Sequence, residues 1–145
     1  MREFIGVGGV VLTADEYGSE EHPCVVLLPG LTQTRKVWES AAKALAPAGR
    51  YVISLDLRGH GGSDSPKDCN YSLEAFMGDL VAVLSQLESR PVLVGSNFGG
   101  WIGLAAIGNT SAPIVTGLVL TNLPPEFQSL NNKSIAKTVA FTTHT

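Results

Sequence analysis

The residues best placed to do chemistry lie in Val92-Leu93-Val94-Gly95-Ser96-Asn97-Phe98-Gly99-Gly100-Trp101. A short apolar run ends at Gly95, glycines flank a tight turn, and an apolar-periodic segment follows from Phe98 to Ile107. That pattern predicts a strand, a sharp turn and a helix. The spacing Gly95-x-Asn97-x-Gly99 suits a turn that holds its central side chain out over the helix start. Small neighbours are needed there because backbone passes close to backbone. A helix start presents N–H groups without partners, which can stabilise a developing oxyanion. The chemistry such a turn supports is nucleophilic attack on a carbonyl, with the charge of the intermediate held by backbone donors. Asn97 fits that role badly, because an amide has no alkoxide or thiolate form. Ser96 carries a hydroxyl but stands one place early, so its side chain should point away from the exposed position.

Two further turns lie at the ends of apolar runs. Tyr51-Val52-Ile53-Ser54-Leu55 leads into Asp56-Leu57-Arg58-Gly59-His60-Gly61-Gly62-Ser63-Asp64. Its glycines permit positive φ, and Arg58, placed between Asp56 and Asp64, is expected to tie the loop down by bidentate pairing. Cys24-Val25-Val26-Leu27-Leu28 leads into Pro29-Gly30-Leu31-Thr32-Gln33-Thr34. Together the Gly-x-Asn-x-Gly elbow, the Asp-x-Arg-Gly-x-Gly-x-Ser turn and the Pro-Gly loop resemble the α/β-hydrolase family, over about residues 1–127. The resemblance implies that Asn97 occupies the nucleophile position, where the family has Ser or sometimes Cys or Asp. It implies oxyanion-hole N–H groups from Leu31 and Phe98, elbow glycines at Gly95 and Gly99, and a structural loop role for His60; Asp56 and Arg58 are read as structural from their charge pairing. The family's triad runs in the order nucleophile, acid, His. Asn122 stands near the acid position of some members but is not an acid. Glu126 is a weak candidate, and His144 is expected to be a tail residue.

The elements that must position these turns can be read in order. Phe4 to Thr13 reads as one or two strands broken by glycine, followed by a polar connection from Asp15 to Pro23. Cys24 to Leu28 is apolar without alternation, which suggests a central strand of a mainly parallel sheet. Trp38, Ala41, Ala42 and Leu45 recur at helical spacing after an N-cap at Thr34, with Trp38 as a core anchor. Ser72 caps a long amphipathic helix carrying Leu73, Phe76, Met77, Leu80, Val81, Leu84 and Leu87. Ile114 to Leu120 reads as a sixth strand. The expected fold is α/β: a mainly parallel, doubly wound sheet of about six strands with flanking helices, a truncated α/β-hydrolase core. Residues 1–127 form the N-terminal part of that domain, and 128–145 a poorly structured tail or short helix. A chain ending soon after strand six is expected to lack the late strands, the cap and the catalytic His. Strand six would then be an exposed edge through which the chain self-associates.

The chain has 145 residues, 44% of them apolar and 16% charged, with a formal charge of −3. That describes a globular domain with a real core. No basic stripe points to nucleic acid, and no run reaches the ~20 apolar residues of a membrane helix. The N-terminal apolar stretch is broken by Gly6, Gly8 and Gly9 and follows an acidic residue, so it reads as strand and not as signal peptide, with a cytoplasmic location expected. Cys24 is expected to pack as a small hydrophobe, and a disulfide with Cys69 is disfavoured in a reducing compartment. No spacing suggests zinc, and neither metal nor cofactor is expected.

Three readings follow. The first is a relative of serine-type ester or lactone hydrolases, acting on small neutral or apolar substrates, with the nucleophile missing. The second is a non-catalytic binding or partner module that has kept the fold. The third is an Asp-nucleophile type, as in epoxide hydrolases or haloalkane dehalogenases, with Asp changed to Asn. A dinucleotide binder is disfavoured because no Gly-x-Gly-x-x-Gly follows the early strands.

Overall fold

The computed structural model describes residues 1–122. The described chain runs β1 (Arg2–Ile5), a 3₁₀ turn (Val7–Gly9), β2 (Val11–Tyr17), β3 (Cys24–Leu28), a 3₁₀ turn (Arg35–Trp38) and α1 (Glu39–Leu45). It continues through β4 (Tyr51–Leu55), α2 (Leu73–Ser85), β5 (Val92–Ser96), α3 (Phe98–Gly108) and β6 (Gly117–Thr121). The six strands make one sheet in the order β1-β2-β4-β3-β5-β6. β2 pairs antiparallel with β1 and β4, while β4, β3, β5 and β6 run parallel.

The burial of β3 explains its unbroken apolar sequence. All five of its residues are buried, because helices cover both faces of the sheet. Val26 and Leu28 face one core with Ile53, Leu93, Phe76, Leu80 and Ile102. Val25 and Leu27 face the other with Val52, Ala42, Trp38 and Leu45. The period of two along a strand thus sorts one apolar run into two layers.

Several boundaries differ from the sequence reading. β2 extends to Tyr17, so Asp15 and Glu16 belong to a strand and not to a connection. Their partners there are Ser54 and Ile53 of β4, and their carboxylates reach Arg35, Lys36 and Arg2 at the sheet surface. The helix after Thr34 opens as a 3₁₀ turn, with the Thr34 side chain accepting from the Lys36 N–H. β6 begins at Gly117 and not at Ile114, although Val115 is buried and the Thr116 N–H reaches the Pro91 carbonyl. β6 lies at one end of the described sheet. The proposed tail at 128–145, Glu126 and His144 lie outside the described residues. No helix among the described residues is long and apolar enough to cross a membrane.

Candidate active site

β3 and β5 lie side by side and parallel, with Leu28 opposite Gly95. Their carboxyl ends therefore deliver two loops to one place, where open α/β sheets tend to bind ligands. The turn after β5 bends within one residue. Asn97 sits at φ 52°, ψ −119°, and α3 begins at Phe98. That backbone conformation is strained for any residue with a Cβ and costs on the order of 1–3 kcal/mol.

The surroundings enforce it. A Cβ on Gly95 would lie 2.5 Å from Gly100 Cα, and one on Gly99 would run into the carbonyl oxygens of Pro29 and Leu28. The Asn97 N–H donates to the Thr121 carbonyl at 2.9 Å, and the Asn97 carbonyl accepts from the Trp101 N–H at 3.1 Å. The Phe98 ring packs edge-on against Phe76, with centroids 5.1 Å apart, pinning the first turn of α3 to α2. The result is an exposed Asn97 side chain on a fixed backbone. As the first residue of α3, Phe98 has an N–H without an intrahelical acceptor.

The loop after β3 comes up beside it. A Cβ on Gly30 would lie 3.3 Å from Asn97 Cβ, so the two turns touch. Gln33 closes this loop on itself: its Oε1 accepts from the Gly30 N–H at 2.8 Å, and its N–H donates to the Gly30 carbonyl at 3.2 Å. Thr32 is held at φ 67°, and its N–H donates to His60 Nε2 at 3.3 Å. The other ring nitrogen, Nδ1, lies 2.8 Å from the Arg58 carbonyl. These partners assign the proton to Nδ1 and the lone pair to Nε2. Leu31 is thus anchored on both sides while staying 50% exposed.

The predicted residues Leu31, Asn97, Phe98, Gly95 and Gly99 are therefore gathered by two adjacent turns. Ser96 is turned away: it is 8% exposed and its hydroxyl accepts from Asn122 Nδ2 at 3.4 Å.

The expected pairing of Arg58 with Asp56 and Asp64 is corrected. Arg58 is buried and pairs with Asp79 of α2, Nε to Oδ2 at 2.6 Å and Nη2 to Oδ1 at 2.8 Å. The Asp79 hydrogen bond raises the Arg58 pKa above its ordinary value. Asp56 is unavailable, because it accepts from the Arg35 backbone, the Arg35 guanidinium and the Gly62 N–H. Asp64 instead accepts from the Val11 N–H at 3.3 Å. The sequence reading did not single out Asp79, Gln33 or the contact of His60 with Thr32. Asp79 did leave a signal, since it falls on the apolar face of α2 beside Phe76, Leu80 and Val83, where a carboxylate needs a buried partner.

Both cysteines are free, Cys24 buried and Cys69 exposed. Burial pushes the Cys24 thiol up to about 11. Among the described residues, no group of three or more His, Cys, Asp and Glu is arranged to hold a metal. A cleft of about 430 Å³ beside Val7, Arg58, Asp64 and Lys67 includes none of the predicted site residues.

Residues 23–141 match the family described as the alpha/beta hydrolase fold. The chain is 27% identical over 124 residues to the AB hydrolase superfamily protein YfhM of Bacillus subtilis, covering 84% of this chain and 43% of that protein. It is 34% identical over 97 residues to epoxide hydrolase A of Mycobacterium tuberculosis, covering 66% of this chain and 30% of the relative. Among solved structures, an esterase from Exiguobacterium antarcticum superposes with a TM-score of 0.77 at 28% identity, over 83% of this chain and 44% of the esterase. The chain spans less than half the length of each.

Proposed function

The chain belongs to the α/β-hydrolase fold family, and from that premise we propose that its two adjoining turns form the nucleophile-side half of a site for small neutral esters or lactones. In this reading Asn97 occupies the nucleophile position, and the N–H groups of Leu31 and Phe98 receive the substrate's carbonyl oxygen. The observation that carries it is the exposed Asn97 side chain at φ 52°, ψ −119°, in contact with the Gly30 loop. A strained turn of this kind persists where it presents one side chain and two backbone donors together.

The same residue limits the chemistry. The amide nitrogen of Asn97 shares its lone pair with the carbonyl, and the oxygen forms no stable acyl intermediate. The site therefore binds a carbonyl compound without turning it over. A second reading draws on the epoxide-hydrolase relative: Asn97 stands in for an Asp nucleophile, and the bound group is an epoxide or alkyl halide.

Both readings are tested by titrating isotope-labelled protein with phenyl acetate, a small lactone and a styrene-type epoxide. The expected result is saturable shifts of the Leu31 and Phe98 amides with the carbonyl ligands, and ester hydrolysis no faster than with Asn97→Ala. Shifts with the epoxide alone would favour the second reading. No shift at either amide, or ester turnover that depends on Asn97, would overturn the first.

A further inference from the structure

The torsion that presents Asn97 also points its side chain toward a reaction with its own backbone. An asparagine closes a succinimide when the next backbone nitrogen attacks Cγ, and the ring contains N(i+1), C, Cα, Cβ and Cγ. Closure needs that nitrogen eclipsed with Cβ about the Cα–C bond. In an L-residue Cβ sits about 120° around Cα from its own N, so the eclipsed arrangement falls at a ψ of about −120°. Asn97 is held at ψ −119°. Only χ1 remains to be set, and the side chain is exposed. The attacking atom, Phe98 N, is not drawn into the helical ladder, because it belongs to the first residue of α3.

We infer that Asn97 is a self-modification site, converted by ring closure onto Phe98 N to aspartate and isoaspartate. The Phe98 N–H proton passes to solvent as the N–Cγ bond forms. The Cγ–Nδ2 bond then breaks, and Nδ2 leaves as ammonia after gaining a proton. Water adds to either imide carbonyl and reopens the ring. The balance is one water consumed and one ammonia released, with no change in oxidation state. The aspartate product puts a carboxylate on the exposed turn, and the isoaspartate product adds a methylene to the main chain there. This inference stands whether or not the site binds a substrate.

Asn109 supplies an internal control. It is also exposed and also followed by a residue larger than glycine, but it sits at φ −95°, ψ 0°, far from the eclipsed arrangement. The experiment incubates the full chain at mildly alkaline pH in ¹⁸O-water and follows residues 97 and 109 by peptide mapping with electron-transfer fragmentation. Parallel samples are the chain in urea and the Asn97→Gln variant, whose ring would need six members. Held in near-attack geometry, Asn97 should convert about tenfold or more faster in the folded chain than in urea, and faster than Asn109. Each product should gain about one dalton plus a single ¹⁸O label, both isoaspartate and aspartate should appear, and Asn97→Gln should stay unconverted. Conversion no faster folded than unfolded would overturn the inference. So would aspartate without isoaspartate, which would mean direct hydrolysis of the amide.

Discussion

The Arg58–Asp79 pair offers the sharpest test of how this fold is held together. Both residues are almost fully buried, at 1% and 4% exposed, and they join the β4 loop to α2. Asp79 Oδ1 also accepts from the Val7 N–H at 2.8 Å, so the 3₁₀ turn between β1 and β2 hangs on the same carboxylate. Arg58 donates further to the carbonyls of Asn70 and Val7. Asp79→Asn keeps an oxygen for Val7 and nearly the same volume, but it strands the guanidinium without a counter-charge. Breaking a buried pair from one side costs about 3–5 kcal/mol, a large part of the 5–15 kcal/mol that holds a typical domain together. Asp64→Asn removes a charge from the same region without touching Arg58, and should cost under about 1 kcal/mol. The double variant Arg58→Met, Asp79→Leu removes both charges and should recover much of the loss. Urea unfolding followed by circular dichroism measures all three. If Asp79→Asn costs no more than Asp64→Asn, or if the double variant is worse than the single by a further full increment, the pair is not what secures the turn.

Two other outcomes are expected. Gly99→Ala forces a Cβ into the backbone carbonyls of Pro29 and Leu28, which cannot swing aside as a side chain can; it should lower the unfolding free energy by about 2–4 kcal/mol and shift the Asn97 amide, whereas Gly108→Ala, in open space, should be neutral or slightly stabilising. Raising the pH should weaken the fold. The Cys24 thiol is lifted by burial from 9.0 to about 11, and the Tyr51 hydroxyl from 10.0 to about 12 by burial and its bond to Glu16. Each folded-state value lies above the unfolded one, so the unfolded chain releases its proton first. The stability present below 9.0 is then lost as pH rises through the folded values, on the order of 2 kcal/mol from Cys24. Urea midpoints measured on either side of that window check this; Cys24→Ala should flatten the first part of the fall, and an unchanged slope would refute the assignment to Cys24.

The two turns of the candidate site were legible in the sequence by itself. Glycines at 95 and 99 mark a place where backbone must touch backbone, and the unbroken apolar run from Cys24 to Leu28 marks a strand buried on both faces, since both signals are local. Asn97 stood out because turn chemistry is written in consecutive residues, whereas Leu31 and Phe98 were named only through the resemblance to the α/β-hydrolase family. The tertiary structure alone decided who pairs with whom. Nearness in sequence suggested that Arg58 would take Asp56 and Asp64, but the strand order sets Arg35 on Asp56 and lays α2 across the loop, so the buried cation meets Asp79. His60 looked like an ordinary loop residue until β4 was placed beside β3, which brings its ring against the Thr32 N–H. The backbone torsion that brings Phe98 N toward the Asn97 side chain is likewise invisible in its identity. It follows from a turn whose angle is fixed by the packing of β5, α3 and the β3 loop against one another.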